Sequence, residues 1–225
     1  MSQKSFLGGH GFSRAGKTPT NLQGDFLLST AVISHEPIDS QWSLPYKGHV
    51  GMLCLIVAES AIFTIFVVAY LFYIGKSLSG PTPRQVLELP IFASICLLSS
   101  SLTIHVAVAA LRKANFGAFR LWWFLTLVLG SIFLVSTARE WRHLIYDKGL
   151  TITTNLFGTT YYSLVGLHAF HVTVGLIGLL TILLLTLFRR VQQEHAKNVD
   201  TFAMYWHFVD VVWIVVFTVV YIIGR

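Results

Sequence analysis

Five almost wholly apolar runs set what this chain can fold into: Gly51–Tyr73, Pro90–Leu111, Leu121–Ala138, Phe157–Phe188 and Phe202–Ile223. The last, FAMYWHFVDVVWIVVFTVVYII, is 22 residues long. As a helix it reaches roughly 33 Å, enough to cross the hydrocarbon core of a bilayer. The fourth run is longer than a crossing needs, so its outer turn lies in the interface or the helix tilts. Hydrophobic residues make up 54% of the 225 positions and charged residues 12%, which excludes an ordinary soluble domain. The expected fold is an all-α membrane protein, a five-helix transmembrane bundle. The net charge of +6 does not indicate nucleic-acid binding. The basic residues fall in short clusters between apolar runs rather than on one face.

Residues 1–48 differ from the rest. They hold Gly8, Gly9, Gly11, Gly16 and Gly24, three prolines and mixed charge. This predicts a polar, partly disordered N-terminal arm ahead of a membrane domain over 49–225. No basic segment leads into a long apolar one, so no cleavable signal peptide is expected. Cys54 and Cys96 sit inside apolar runs and read as small core residues without a disulfide or zinc spacing. Lys and Arg number ten on the side of the arm and six on the other. The N-terminus is therefore expected in the cytoplasm and the C-terminus on the periplasmic side.

Ionisable residues inside the runs are the candidates for function, because each is costly in lipid unless partnered. Glu59 and Asp210 each lie roughly 12 Å from the cytoplasmic end of their helices, and His105 roughly 9 Å. His207 is one turn shallower than Asp210 and faces the same way. These residues sit on three helices at a similar depth, which predicts one common polar layer. On the second run, Ser94, Leu98, Ser101 and His105 form a stripe. On the fourth, His168, His171, Gly175 and Gly178 form another, combining hydrogen-bonding groups with small residues as a close helix contact requires. Interhelical hydrogen bonding alone accounts for the histidines. Glu59, a lone carboxyl in an apolar helix, points to a functional or ligand-binding role, or sits neutral in its apolar surroundings.

Metal readings fit poorly. His168 and His171 form one HxxH pair, and Glu140 and His143 one ExxH pair. A histidine-box di-iron enzyme needs several such pairs, and a di-iron carboxylate bundle needs two ExxH motifs and two further Glu. A b-type haem needs facing histidines, and nothing selects a pair. No metal is expected on this chain.

The run Asn155–Val174, NLFGTTYYSLVGLHAFHVTV, and the run Tyr205–Trp213, YWHFVDVVW, resemble subunit III of the haem–copper oxidases. The first run adds GMLCLIVAESAIFTIFVVAYLFY with Glu59, and Pro90, Leu97–Ser101 and Arg139-Glu140-Trp141 fit the same pattern. The resemblance covers about residues 46–225, and five spans match the shorter bacterial form. It implies an accessory subunit of a proton-pumping cytochrome c or quinol oxidase in a bacterial plasma membrane. The implied role is to stabilise subunit I, hold lipid, and support proton uptake and oxygen access during aerobic respiration. Haem and copper are then expected on partner subunits, with phospholipid the one bound molecule here. Subunit I is the direct neighbour, with subunit II and further respiratory subunits nearby. The resemblance places lipid beside Glu59 and Arg189, with His105, His207 and Asp210 completing the polar scaffold. His35 and His49 are the candidates for a further lipid contact. Arg189 offers a planar fork of donors to a phosphate, or anchors the helix by the positive-inside rule. An accessory subunit of a nitric oxide reductase and a stand-alone histidine-box enzyme are the alternatives.

Overall fold

The computed structural model describes residues 46–76, 87 and 89–224. The expected N-terminal arm lies outside the described residues except for its last three. Five long helices are present: α1 (Lys47–Tyr73), α2 (Ile91–Arg112), α3 (Phe116–Tyr146), α4 (Leu156–Leu187) and α5 (Ala196–Phe217). All five are long and apolar enough to cross a membrane. A 3-10 turn, Gln193–His195, leads into α5, and a π-helical segment, Thr218–Ile223, extends it.

Two boundaries differ from the apolar runs. Helix α1 starts at Lys47, inside the expected arm. Helix α3 runs from Phe116 to Tyr146, well beyond the expected Leu121–Ala138. At 31 residues it is roughly 46 Å long. It exceeds a hydrocarbon core of about 30 Å, so its charged last turns continue into the headgroup region. Charge ends an apolar run without ending a helix. The true start is Asn115, whose side chain accepts from Ala118 N at 3.1 Å.

Helix α5 is the centre of the bundle. It packs on α1, α2 and α4, while α4 also packs on α1 and α3, and α2 lies along α3. The connection from α2 to α3 is only Lys113–Asn115, with Ala114 at φ 55°. Helix α1 is peripheral, burying only Phe63 and Tyr70. Cys96 is buried as expected, but Cys54 lies exposed on α1, because most of that helix faces outward.

Trp206 of α5 joins three neighbours. Its ring is fully buried, and its Nε1 donates to Ser100 Oγ of α2 at 2.8 Å. A Cβ on Gly130 of α3 would come within 2.9 Å of that ring, and one on Gly175 of α4 within 2.6 Å. Those glycines form the slots that admit the indole. One turn away, Gly178 of α4 accommodates Phe202 in the same manner. Trp213 repeats the pattern, donating to Ser94 Oγ of α2 at 3.0 Å and lying against Phe133 of α3. Trp123 of α3 donates to the Leu179 carbonyl of α4 at 2.9 Å.

Lipid offers no partner to a stray hydroxyl. Many Ser and Thr therefore donate to the carbonyl four residues back, as Ser60, Thr64, Thr137 and Thr173 do. At the end where α1 begins, Asp200 meets Arg112 at 2.8 Å and His49 at 3.6 Å, and Tyr46 donates to Asn198. This clasp ties the starts of α1 and α5 to the end of α2.

The glycine slots generate a test. Gly175→Ala should cost about 1–3 kcal/mol by overpacking, read from thermal unfolding in detergent. The penalty should shrink when Trp206 is replaced by Phe, since the smaller ring leaves space for the methyl. An equal penalty in both backgrounds would show that Gly175 serves something other than the indole.

Candidate functional site

The intramembrane polar residues form two clusters on different flanks of α5, rather than the single layer expected. In the first, Glu59 of α1 lies 3.1 Å from His171 Nε2 of α4. The other ring nitrogen, Nδ1, is 2.8 Å from the Leu167 carbonyl. A carbonyl only accepts, so Nδ1 carries a proton and donates there. Tyr205 of α5 closes this cluster by donating to the His171 carbonyl at 3.1 Å. Glu59 thus lies between helices beside a histidine, the kind of polar partner that a carboxyl at membrane depth requires.

In the second cluster, Ser101 of α2 donates to Asp210 Oδ2 and lies 3.0 Å from His207 Nδ1. A serine has one proton to give. With it on Asp210, His207 Nδ1 is the donor to Ser101. Asp210 and His207 therefore do face the same way, but a serine joins them. His105 is exposed and takes no part in these hydrogen bonds. Leu98, expected on the same stripe, is 40% exposed. The buried face of α2 instead runs through Ser94, Leu97, Ser100 and Ile104, a phase that follows the tryptophans of α5.

The stripe on α4 faces other helices throughout. His171 meets Glu59, Gly175 meets Trp206 and Gly178 meets Phe202. His168 is fully buried, with its ring centroid 5.0 Å from that of Trp213, 5.8 Å from Phe133 and 6.5 Å from Phe63. Arg189 adopts φ 57° where α4 ends, a conformation that costs a non-glycine residue about 1–2 kcal/mol. It lines a hollow of about 300 Å³ together with Arg120, Phe116 and Thr186. Two guanidinium groups from α3 and from the end of α4 thus flank one site, and Glu59 is not among the described residues lining it. His35 lies outside the described residues, while His49 belongs to the Asp200 clasp.

A third polar cluster was not anticipated. Glu140 Oε1 accepts from Tyr221 at 2.9 Å and from Tyr161 at 3.2 Å. This ties α3 to α4 and to the π segment after α5. The ExxH spacing is divided between two uses, since His143 lies 2.6 Å from Asp147. No group of three potential metal ligands occurs among the described residues.

The fold and these clusters define a multi-pass membrane protein whose buried polar groups join one helix to the next. Comparison with known sequences gives the family. A profile described as cytochrome c oxidase subunit III matches residues 43–225. The cytochrome c oxidase subunit 3 of a Synechocystis species is 40% identical over 181 residues, covering 77% of this chain and 74% of that protein. That of Alkalihalophilus pseudofirmus is 35% identical over 176 residues, covering 77% and 85% respectively. A quinol oxidase subunit 3 from Bacillus subtilis is 28% identical over 193 residues, covering 85% and 94%. The chain belongs to the cytochrome c oxidase subunit III family.

Asp210 can be tested by shape against hydrogen bonding. Asp210→Asn keeps an acceptor for Ser101 and should change thermal stability in detergent little. Asp210→Leu leaves that hydroxyl without its carboxylate acceptor and should cost about 1–3 kcal/mol more. Equal damage from both would show that the carboxyl's charge is what matters.

Proposed function

We propose that this chain is the accessory subunit III of a proton-pumping haem–copper terminal oxidase, packed against subunit I in a bacterial plasma membrane with subunit II in the same complex. The family match over residues 43–225 carries the reading. Subunit III relatives support membership of an oxidase complex, and five spans make the chain a multi-pass membrane protein. Oxygen is reduced to water at haem and copper on partner subunits. This chain stabilises subunit I, holds phospholipid, and supports proton uptake and oxygen access.

The disposition of its histidines supports a role without a redox centre of its own. His171 is engaged by Glu59, His207 by Ser101, and His143 by Asp147. His168 is caged by three aromatic rings. The Glu59–His171 pair and the Arg120–Arg189 hollow are the places where lipid would act. The pair fixes the peripheral α1 to the bundle, and the paired guanidinium groups suit a phosphate. The end of the bundle holding Asp200, Arg112 and Arg189 is then the cytoplasmic one.

The complex purified through a tag on this chain tests the reading. Subunits I and II should copurify with normal haem content and oxygen consumption. Glu59→Ala should leave haem content unchanged while shortening the number of turnovers before activity is lost. Arg189→Gly should keep or raise thermal stability, because glycine favours the left-handed backbone there, and should lower the retained phospholipid. Loss of haem in Glu59→Ala would mean that Glu59 shapes the catalytic subunit rather than the lipid or the helix contact.

A further inference from the structure

The corner where α3, α4 and the π segment meet holds a line of oxidisable side chains. Trp141 of α3 is partly exposed, with its ring centroid 5.4 Å from that of Tyr162 on α4. Tyr162 lies 5.2 Å from Tyr161, ring to ring. The Tyr161 hydroxyl is 3.4 Å from that of Tyr221 in the π segment. Beyond Trp141 the line is buried: Tyr162 is 9% exposed, Tyr221 2%, and Tyr161 not at all. Trp141 is ten residues past the midpoint of α3, roughly 15 Å along the helix. That is the edge of a hydrocarbon core about 30 Å thick, where an indole meets the headgroups.

Rings in contact need no explanation beyond packing. The inner pair has something more, because both phenols donate to one carboxyl oxygen, Glu140 Oε1, at 2.9 Å from Tyr221 and 3.2 Å from Tyr161. A backbone carbonyl would satisfy a buried hydroxyl equally well, as it does for Tyr162 on Leu150 and Tyr205 on His171. The difference is chemical. A carbonyl accepts a hydrogen bond but does not take the proton, whereas a carboxylate within such reach is a base.

That difference matters for one-electron chemistry. Tryptophan and tyrosine give up an electron more readily than other aromatic side chains. An indole can lose an electron and keep its proton. A phenol loses one easily only if its proton leaves in the same step. Trp141 Nε1 is buried without a hydrogen-bond partner among the described residues, so an oxidised indole there has no base to settle it. Tyr161 and Tyr221 already hold their protons against a base, so an oxidising equivalent that reaches Trp141 is drawn inward to them. The transfer uses only hydrogen bonds already made to Oε1 and needs no vacant position on the carboxyl.

We propose that Trp141, Tyr162 and the Tyr161–Tyr221–Glu140 cluster form a radical trap, a one-electron site that needs no bound cofactor. Its substrate is an oxygen-centred radical of the peroxyl class at the membrane surface. The radical takes one electron from Trp141 and one proton from interfacial water and becomes a hydroperoxide. Tyr161 refills Trp141 with an electron across the Tyr162 ring and gives its proton to Glu140 Oε1. What remains is a neutral tyrosyl radical and a protonated carboxyl. Tyr221 exchanges with Tyr161 by passing an electron to it and a proton to Oε1, while Oε1 returns its own proton to Tyr161. The two rings thus share the radical. A soluble reductant of the ascorbate class then supplies one electron through Trp141, and Glu140 gives the proton back.

The test exposes the full chain, purified in detergent, to peroxyl radicals from a water-soluble azo initiator. Electron paramagnetic resonance of frozen samples reads the radical, and peptide mass spectrometry counts oxygen added to Trp141. The unaltered chain should give a tyrosyl signal that narrows with ring-deuterated tyrosine and disappears on adding ascorbate, with Trp141 largely intact. Glu140→Gln keeps an acceptor oxygen but removes the base. It should lose the signal and raise oxygen addition at Trp141 several-fold. Replacing Tyr161 and Tyr221 together by Phe should do the same. Tyr162→Phe controls for loosening, since it breaks the bond to the Leu150 carbonyl but keeps the ring and the trap, and should match the unaltered chain. No tyrosyl signal in the unaltered chain overturns the proposal, as does a signal that survives the double replacement. Damage at Trp141 in Tyr162→Phe equal to that in Glu140→Gln also overturns it, because the indole is then merely uncovered. None of these readouts depends on oxygen consumption or copurifying subunits, so the result stands apart from the accessory-subunit reading.

Discussion

The indole of Trp206 is the contact on which the bundle depends. It enters slots at Gly130 and Gly175 and donates to Ser100, so one side chain of α5 fixes α2, α3 and α4 at once. The physical reason is the solvent. Lipid tails are as apolar as leucine, so helices gain little by hiding apolar surface from them. Close packing and polar contacts must supply the association, and an unpartnered polar atom has no water to fall back on. A large ring with a single N–H, received by two glycines and a serine, meets both demands. Trp213 with Ser94 and Phe133, and Trp123 with the Leu179 carbonyl, repeat the arrangement at other depths.

The same constraint explains the ionisable residues. Glu59 is tolerated because His171 faces it, and Asp210 because Ser101 faces it. Each pair joins two helices: α1 to α4, and α2 to α5. Glu140 joins α3 to α4 and to the end of α5 through two tyrosines. Side chains that would suit acid–base or metal chemistry in a water-filled cleft here act between helices. This agrees with the proposed accessory role beside a catalytic neighbour.

Much of this was legible in the sequence, and what was missed has physical causes. Apolar runs mark spans because crossing a bilayer demands about 20 apolar residues, so all five helices were found. The end of α3 was missed because Arg139, Glu140, Arg142 and His143 interrupt the apolar run while still extending a helix into the headgroups. The residue types of the polar scaffold were legible, since ionisable groups stand out in apolar runs. Their pairing was not, because depth along a helix carries no information about which flank a residue faces. Glu59 and Asp210 share a depth yet lie on different flanks of α5. Ser100 was overlooked within the run Ser99–Ser101, where three adjacent serines point in different directions and only packing selects among them. The Glu140–Tyr161–Tyr221 cluster depends partly on the π segment at Thr218–Ile223, whose wider turn no apolar pattern encodes.

The central claim is that this chain's polar residues hold helices and lipid beside a redox partner. The most direct measurement is iron and copper analysis of the chain purified alone, set against the intact complex. The account predicts metal in the complex at the stoichiometry of its catalytic subunits and none retained by the separated, folded chain. Stoichiometric iron or copper on the separated chain would contradict it.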